Sequence, residues 1–192
     1  MSTPRVIAGK ARGIRLQDVP GDITRPITDM VKGALFNILG VETIQSTWLD
    51  LFGGTGSVGI EALSRGASYV RFVDLNRAAV NVIKANLEKT KLAADAEVVQ
   101  SDAFAFLNRR PDRTFDFIFI APPQYKDMWI QALKTLDANA GWLQPDTWVI
   151  VQIDPVEYQE MALTQLVEFE QRKYGNTILV FYLCRQLRLL TH

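Results

Sequence analysis

Apolar positions fall in two rhythms along the chain. Short apolar runs at 48–52, 69–73, 96–100, 115–121, 147–153 and 177–183 have the length of strands. The run FDFIFIA at 115–121 is continuous, as in a strand covered on both faces of a parallel sheet. Between these runs, segments 60–65, 77–92, 103–108 and 126–137 repeat apolar residues at helical spacing. Strand and helix therefore alternate, which predicts a parallel sheet with helices on its faces. The far end breaks the rhythm: 167–174 alternates apolar and polar residues, Gly175-Asn176 makes a turn, and 177–183 follows as a closing hairpin with an antiparallel last strand. At the start, strand-like pieces at 5–8 and 14–16 flank Gly9-Lys10-Ala11-Arg12-Gly13 and predict a β-hairpin. A helix follows, capped by Thr28, with Asp29 in its first turn and an apolar face of Val31, Ala34, Leu35, Ile38 and Leu39, stopping near Gly40. The expected organisation is an N-terminal hairpin-and-helix appendage at 1–40 and a main α/β domain at 41–192.

The chemistry concentrates between Trp48 and Asp74. Strand, glycine turn (Gly53-Gly54-Thr55-Gly56-Ser57-Val58-Gly59), helix, second strand and acid follow one another there. Glycines let backbone N–H groups and a helix N-terminus approach a ligand, and an acid at the end of the second strand is placed to hold ribose hydroxyls. This fingerprint alone fits either a nicotinamide dinucleotide or S-adenosylmethionine. Asp50 leans toward the second, because a carboxylate inside an apolar strand needs a partner, and an α-amino group would be one where a pyrophosphate would be repelled. Capping of the glycine turn is the other use open to Asp50. Asp102, just past the third strand, can accept from an adenine amino group, cap the helix after it, or do both. Pro122-Pro123-Gln124-Tyr125 ends the continuous strand. The two prolines leave the carbonyls of Ala121 and Pro122 to accept from a substrate amine, with Tyr125 available to stack on a base, unless the pair is simple punctuation.

Composition narrows the classes. The 192 residues, 48% hydrophobic and 22% charged, suit one soluble domain. No run approaches a membrane span and no secretory pattern opens the chain, so a cytoplasmic protein is expected. A single cysteine, Cys184, and a single histidine, His192, argue against an internal disulfide and against a metal site. Net charge is zero, yet residues 1–40 hold six basic residues (Arg5, Lys10, Arg12, Arg15, Arg25, Lys32) against three acidic ones, a local +3. That asymmetry fits an end that touches a phosphate backbone, and equally a solvated hairpin.

On these stretches the chain resembles the RsmD-type RNA methyltransferases. They are the opening motif from Arg5 to Gly13, Arg25-Pro26-Ile27-Thr28-Asp29 with Leu35-Phe36-Asn37, the segment from Leu49 to Gly56 with Gly59, Glu61-Ala62-Leu63-Ser64-Arg65-Gly66-Ala67, and the Tyr174-Gly175 turn. The resemblance implies a Rossmann-like class I methyltransferase, with a seven-stranded, mostly parallel sheet and an antiparallel last strand. It implies methyl transfer from S-adenosylmethionine to guanine N2 of small-subunit (16S) ribosomal RNA; the expected partner is that RNA within a small-subunit particle, and the expected protein a monomer without metal. By the same resemblance Asp50, Phe52 and the loop of Gly53, Gly54, Thr55, Gly56 and Gly59 hold the methionine part. Asp74 and Leu75 take the ribose, Asp102 and Ala103 the adenine, and Lys10, Arg12, Arg15 and Arg25 approach RNA phosphates. The catalytic strand end, Ala121-Pro122-Pro123-Gln124-Tyr125, departs from the family pattern of Asp, Asn or Ser, then Pro-Pro, then an aromatic. Ala121 carries no acceptor, and the aromatic comes one place late. Backbone carbonyls could suffice, Gln124 could supply the acceptor, or the protein could be a catalytically weak, cofactor-binding ribosome-assembly factor. A DNA or protein methyltransferase is a further alternative.

Overall fold

The structure, a computed structural model, describes residues 3–21 and 26–185. Seven strands form one sheet in the order β3-β2-β1-β4-β5-β7-β6. These are β1 (Thr47–Leu51), β2 (Tyr69–Asp74), β3 (Ala96–Gln100), β4 (Phe115–Ile120), β5 (Leu143–Ile153), β6 (Leu166–Tyr174) and β7 (Thr177–Cys184). The first five run parallel, and β7 is inserted antiparallel between β5 and β6. Five helices complete the fold: α1 (Asp29–Leu39), α2 (Ser57–Ser64), α3 (Arg77–Thr90), α4 (Ala103–Leu107) and α5 (Met128–Ala138). The alternating rhythm read from the sequence thus yields the expected sheet, including its reversed strand.

Side-chain alternation divides the core between the two faces of the sheet. On one face Trp48, Phe72, Phe117, Phe119, Ile150 and Phe181 pack against α1, α2 and α3. On the other, Leu49, Ile118, Val149, Val151 and Val180 pack against α4 and α5, with Trp129 and Trp142 at the centre. Gly59 shows why α2 can lie so close to the sheet: a Cβ there would sit 2.3 Å from the Phe72 ring.

The N-terminal segment pairs its two arms as expected of a hairpin, with an antiparallel bridge of Arg5 with Arg15 and N–H donation from Val6 to the Ile14 carbonyl (2.9 Å), Leu16 to the Pro4 carbonyl (2.7 Å) and Gly13 to the Val6 carbonyl (2.8 Å). Donors nearer the turn go to α2. The N–H groups of Ile7 and Ala8 donate to the two Glu61 carboxylate oxygens at 2.8 and 3.0 Å, and Ala11 N–H donates to Ser64 Oγ at 2.9 Å. Lys10 N–H donates to the Ser64 carbonyl at 2.8 Å, an approach so close that a Cβ on Gly9 would overlap that carbonyl oxygen at 1.9 Å. The segment is bound to α2, and Val6, Ala11 and Leu16 join the core of the α1–α3 face.

This junction also corrects the charge argument. Lys32, counted above with the basic N-terminal residues, is fully buried; its ammonium donates to the Arg5 carbonyl (2.6 Å) and Ser57 Oγ (2.8 Å) and lies 3.7 Å from Glu61. Burial lowers its pKa, opposed by the Glu61 carboxylate. Arg5 pairs with Asp29 at 2.7 Å. Of the six basic N-terminal residues, those that are exposed and in no ion pair among the described residues are Lys10, Arg12 and Arg15. Arg25 and His192 lie outside the described residues.

Candidate active site

A cleft of about 790 Å³ opens at the carboxyl ends of β1, β2, β4 and β5. Its floor is the turn after β1. Phe52 takes a left-handed backbone (φ 61°), unusual for an aromatic residue, and stacks edge-on with Phe104. Gly54 and Gly56 are left-handed as well (φ 56° and 77°), so the chain reverses and α2 starts at Ser57. Phe52, Gly53, Gly54 and Thr55 line the cleft; Gly56 and Gly59 do not. The role of Gly59 is close helix packing and one hydrogen bond, from its N–H to Asp50 Oδ2 at 3.2 Å.

Asp50 is 2% exposed on β1 yet contributes to the cleft lining. Burial pushes its carboxyl up to about 8, against the Gly59 N–H that favours the anion, and the nearby Asp74 charge adds to the rise. A buried acid of this kind is neutral around pH 7 until a cation approaches. Asp50 thus accepts from the α2 backbone and also lines the cleft.

Asp74 ends β2. Its Oδ2 accepts from Gly54 N–H at 2.9 Å and its Oδ1 from Asn76 N–H at 2.8 Å, so the carboxylate braces the glycine turn while facing the cleft. Leu75, 65% exposed, lies beside it on the rim. Asp102 caps α4, accepting from Ala105 N–H at 2.8 Å, and both Asp102 and Ala103 line the cleft.

The opposite wall is made by Ala121, Pro122, Pro123 and Gln124 after β4, by Gln152 and Ile153 of β5, and by Asn176 and Thr177 of the β6–β7 turn. Pro26, Ile27 and Thr28, with Met30 and Val31 of the first turn of α1, also line it. Tyr125 departs from expectation. It lies outside the lining, 67% exposed with φ 61°, its hydroxyl donating to Asp154 (3.0 Å) and its N–H to Glu157 (2.7 Å). In this conformation it does not stack over the cleft.

Electrostatics choose between the two ligand classes left open by the glycine fingerprint. Among the described residues the lining holds four carboxylic acids, Asp18, Asp50, Asp74 and Asp102, and one cation, Lys126. Such a lining repels a pyrophosphate and suits a ligand with a sulfonium and an ammonium group. Asp18 and Gln152 escaped sequence reasoning, since neither stands in a motif. Among the described residues no cluster of His, Cys, Asp and Glu has metal-binding geometry. None of their helices is long and apolar enough to cross a membrane.

A reversed strand inserted beside a parallel sheet, with a glycine turn and strand-end acids opening on one cleft, defines a class I methyltransferase fold. The family model described as conserved hypothetical protein 95 matches residues 4–183, and the chain belongs to that family, the RsmD family. Ribosomal RNA small subunit methyltransferase D of Haemophilus influenzae is 38% identical over 152 residues, covering 78% of each chain. The Escherichia coli structure of yhhF, described as a candidate methyltransferase, superposes with a TM-score of 0.85 at 28% identity, covering 96% of this chain and 99% of that one. An RNA methyltransferase from Salinibacter ruber, solved with S-adenosyl-L-homocysteine, shares the fold at a TM-score of 0.63 and 14% identity, covering 84% of this chain and 95% of that one.

Proposed function

We propose that the protein transfers a methyl group from S-adenosylmethionine to the exocyclic N2 of a guanine in small-subunit ribosomal RNA, acting in the cytoplasm as a monomer on an assembling small-subunit particle. The observation that carries the reading is the buried Asp50 carboxyl at an acid-lined cleft whose far wall is the double-proline strand end. The residues present fit the donor. Asp50 would take the α-amino group, Gly53, Gly54 and Thr55 would pass the carboxylate end, Asp74 beside Leu75 would take the ribose hydroxyls, and Asp102 with Ala103 the adenine. When bound, S-adenosylmethionine supplies an electrophilic methyl on a sulfonium, so neither metal nor strong base is required. The chain's own task is alignment: the lone pair of an aromatic amine is delocalised, and acceptors that hold its N–H groups turn that lone pair toward the methyl.

The N-terminal segment, 1–40, supplies the RNA side. Lys10, Arg12 and Arg15 project from its turn without ion-pair partners among the described residues, the disposition of phosphate contacts. Arg25, assigned the same role by resemblance, lies outside the described residues. The test is transfer of labelled methyl from S-adenosylmethionine to small subunits lacking the modification, followed by digestion to nucleosides. N2-methylguanosine at one position is expected. Labelled protein or DNA, or a different nucleoside, would overturn the substrate assignment, and cofactor binding without any transfer would favour the assembly-factor alternative.

A further inference from the structure

Ala121 leaves the strand end without a side-chain acceptor, yet the structure places one on the neighbouring strand. The last pair of the β4–β5 ladder is Ile120 with Val151, so the next position on each strand brings Ala121 beside Gln152. The same alternation sets Ala121 and Gln152 on the face that carries Asp50, Phe119 and Ile150. Four polar side-chain atoms of the described residues are buried without a hydrogen-bond partner, on Thr43, Trp129, Gln152 and Tyr182. Of these residues only Gln152 lines the cleft. An unpaired buried carbonyl is a standing cost to the fold, and one at a ligand site is explained if the ligand supplies the donor.

We propose that Gln152 Oε1 is the acceptor for the amine being methylated, taking the role that Ala121 cannot fill. The inference rests on the amine-methylating reading above. As the nitrogen acquires the methyl it becomes cationic, and its N–H groups become stronger donors, so an acceptor held here gains most in the transition state. A neutral amide suits this role: it orients the amine and answers the growing charge, while the surplus proton passes to water. A carboxamide on β5 also differs in reach from a side chain at the strand end, approaching the amine from the β5 side of the cleft. Gln124 lines the same wall but sits after both prolines, in the loop that carries Tyr125 outward.

The experiment compares single-turnover methyl transfer to unmodified small subunits by the wild type, Gln152→Met, Gln152→Glu and the double variant Gln152→Met with Ala121→Asn. Gln152→Met, similar in volume and lacking the acceptor, should lose about tenfold or more in rate while the dissociation constants for cofactor and RNA stay unchanged. Gln152→Glu keeps an acceptor and should retain most of the rate. Ala121→Asn should restore transfer to Gln152→Met, because it returns an acceptor from the adjoining strand. A rate for Gln152→Met within twofold of wild type would overturn the proposal. So would a loss that Ala121→Asn leaves unrepaired, or an equal loss in Gln152→Glu, either of which marks a packing role. If Gln152→Met fails to fold, Gln152→Glu decides alone by the same criterion. No transfer by the wild type to any small-subunit RNA overturns the functional reading first, and this inference with it.

Discussion

The clearest consequence of a buried, neutral Asp50 is a pH dependence of cofactor affinity. The productive pair is carboxylate with ammonium. In the ligand-free protein Asp50 titrates at about 8, and a free α-amino group also titrates near ~8. The fraction of encounters with both partners correctly charged is then about 0.25 at pH 8, about 0.08 at pH 7 and about 0.01 at pH 6. Affinity should peak near pH 8 and be about 25-fold weaker at pH 6, a loss of about 1.9 kcal/mol. Below the peak, binding should release close to one proton. Calorimetric titration of S-adenosylmethionine at several pH values, repeated in buffers of different ionisation enthalpy, measures both quantities. In Asp50→Asn the acid limb should flatten and the maximal affinity drop, since the charged acceptor is gone. An affinity constant from pH 6 to pH 8 in the wild type, or an unchanged slope in Asp50→Asn, would refute the assignment of Asp50 to the ammonium group.

The same titration acts on stability with a fixed sign. A carboxyl raised in the folded state destabilises the ligand-free protein progressively as pH climbs from about 4 to about 8, so Asp50→Asn should melt above the wild type at pH 8 and lose that advantage near pH 4. Replacing Lys10, Arg12 and Arg15 by Ala should lower the salt slope of RNA binding by about 2 to 3, as three phosphate contacts are lost, with cofactor binding unchanged; an unaltered slope returns them to a solvated surface. Gly59→Ala forces a Cβ to 2.3 Å from the Phe72 ring and should cost about 1–3 kcal/mol, several degrees in the melting temperature. Lys32→Met strips the donor from the Arg5 carbonyl and Ser57 and should cost about 3 kcal/mol, read as a shifted denaturation midpoint; a shift under about 0.5 kcal/mol would show that the ammonium is dispensable.

What could be read in the sequence was set by periodicity. Strands as apolar as 115–121 and 177–183 have one stable place, inside the sheet, and Gly175-Asn176 between the alternating run 167–174 and 177–183 gives the reversal that sets β7 antiparallel to β6 and, on its other side, against β5. Asp74 and Asp102 were visible for a related reason, since an acid at or just past the end of an apolar strand lies at the carboxyl edge, and Asp50 because a carboxylate inside an apolar strand needs a partner. Gln152 had no such signal. A glutamine near the end of a strand is ordinary until the register sets it beside Ala121. Tyr125 was misread because its direction depends on a left-handed backbone and on Asp154 and Glu157, far along the chain. Lys32 was counted with the basic N-terminal residues, since helical periodicity does not reveal that two helices and the N-terminal turn meet over it and Glu61.

That last misreading explains why two distant motifs occur together. Glu61 and Ser64, in the α2 stretch from Glu61 to Gly66, hold the backbone of Ile7, Ala8, Lys10 and Ala11, which belongs to the opening motif. Lys32 ties the same opening segment to Ser57, the first residue of α2 and the next after the glycine turn. The turn bearing Lys10, Arg12 and Arg15 is thereby fixed to the helix that starts at the cleft floor. Under the proposed reading, a flexible hairpin would lose entropy each time it gripped RNA, and one already ordered on α2 avoids much of that cost. Ordering of the basic turn and shaping of the cleft floor are therefore one packing problem, solved by a buried ammonium and a buried carboxylate.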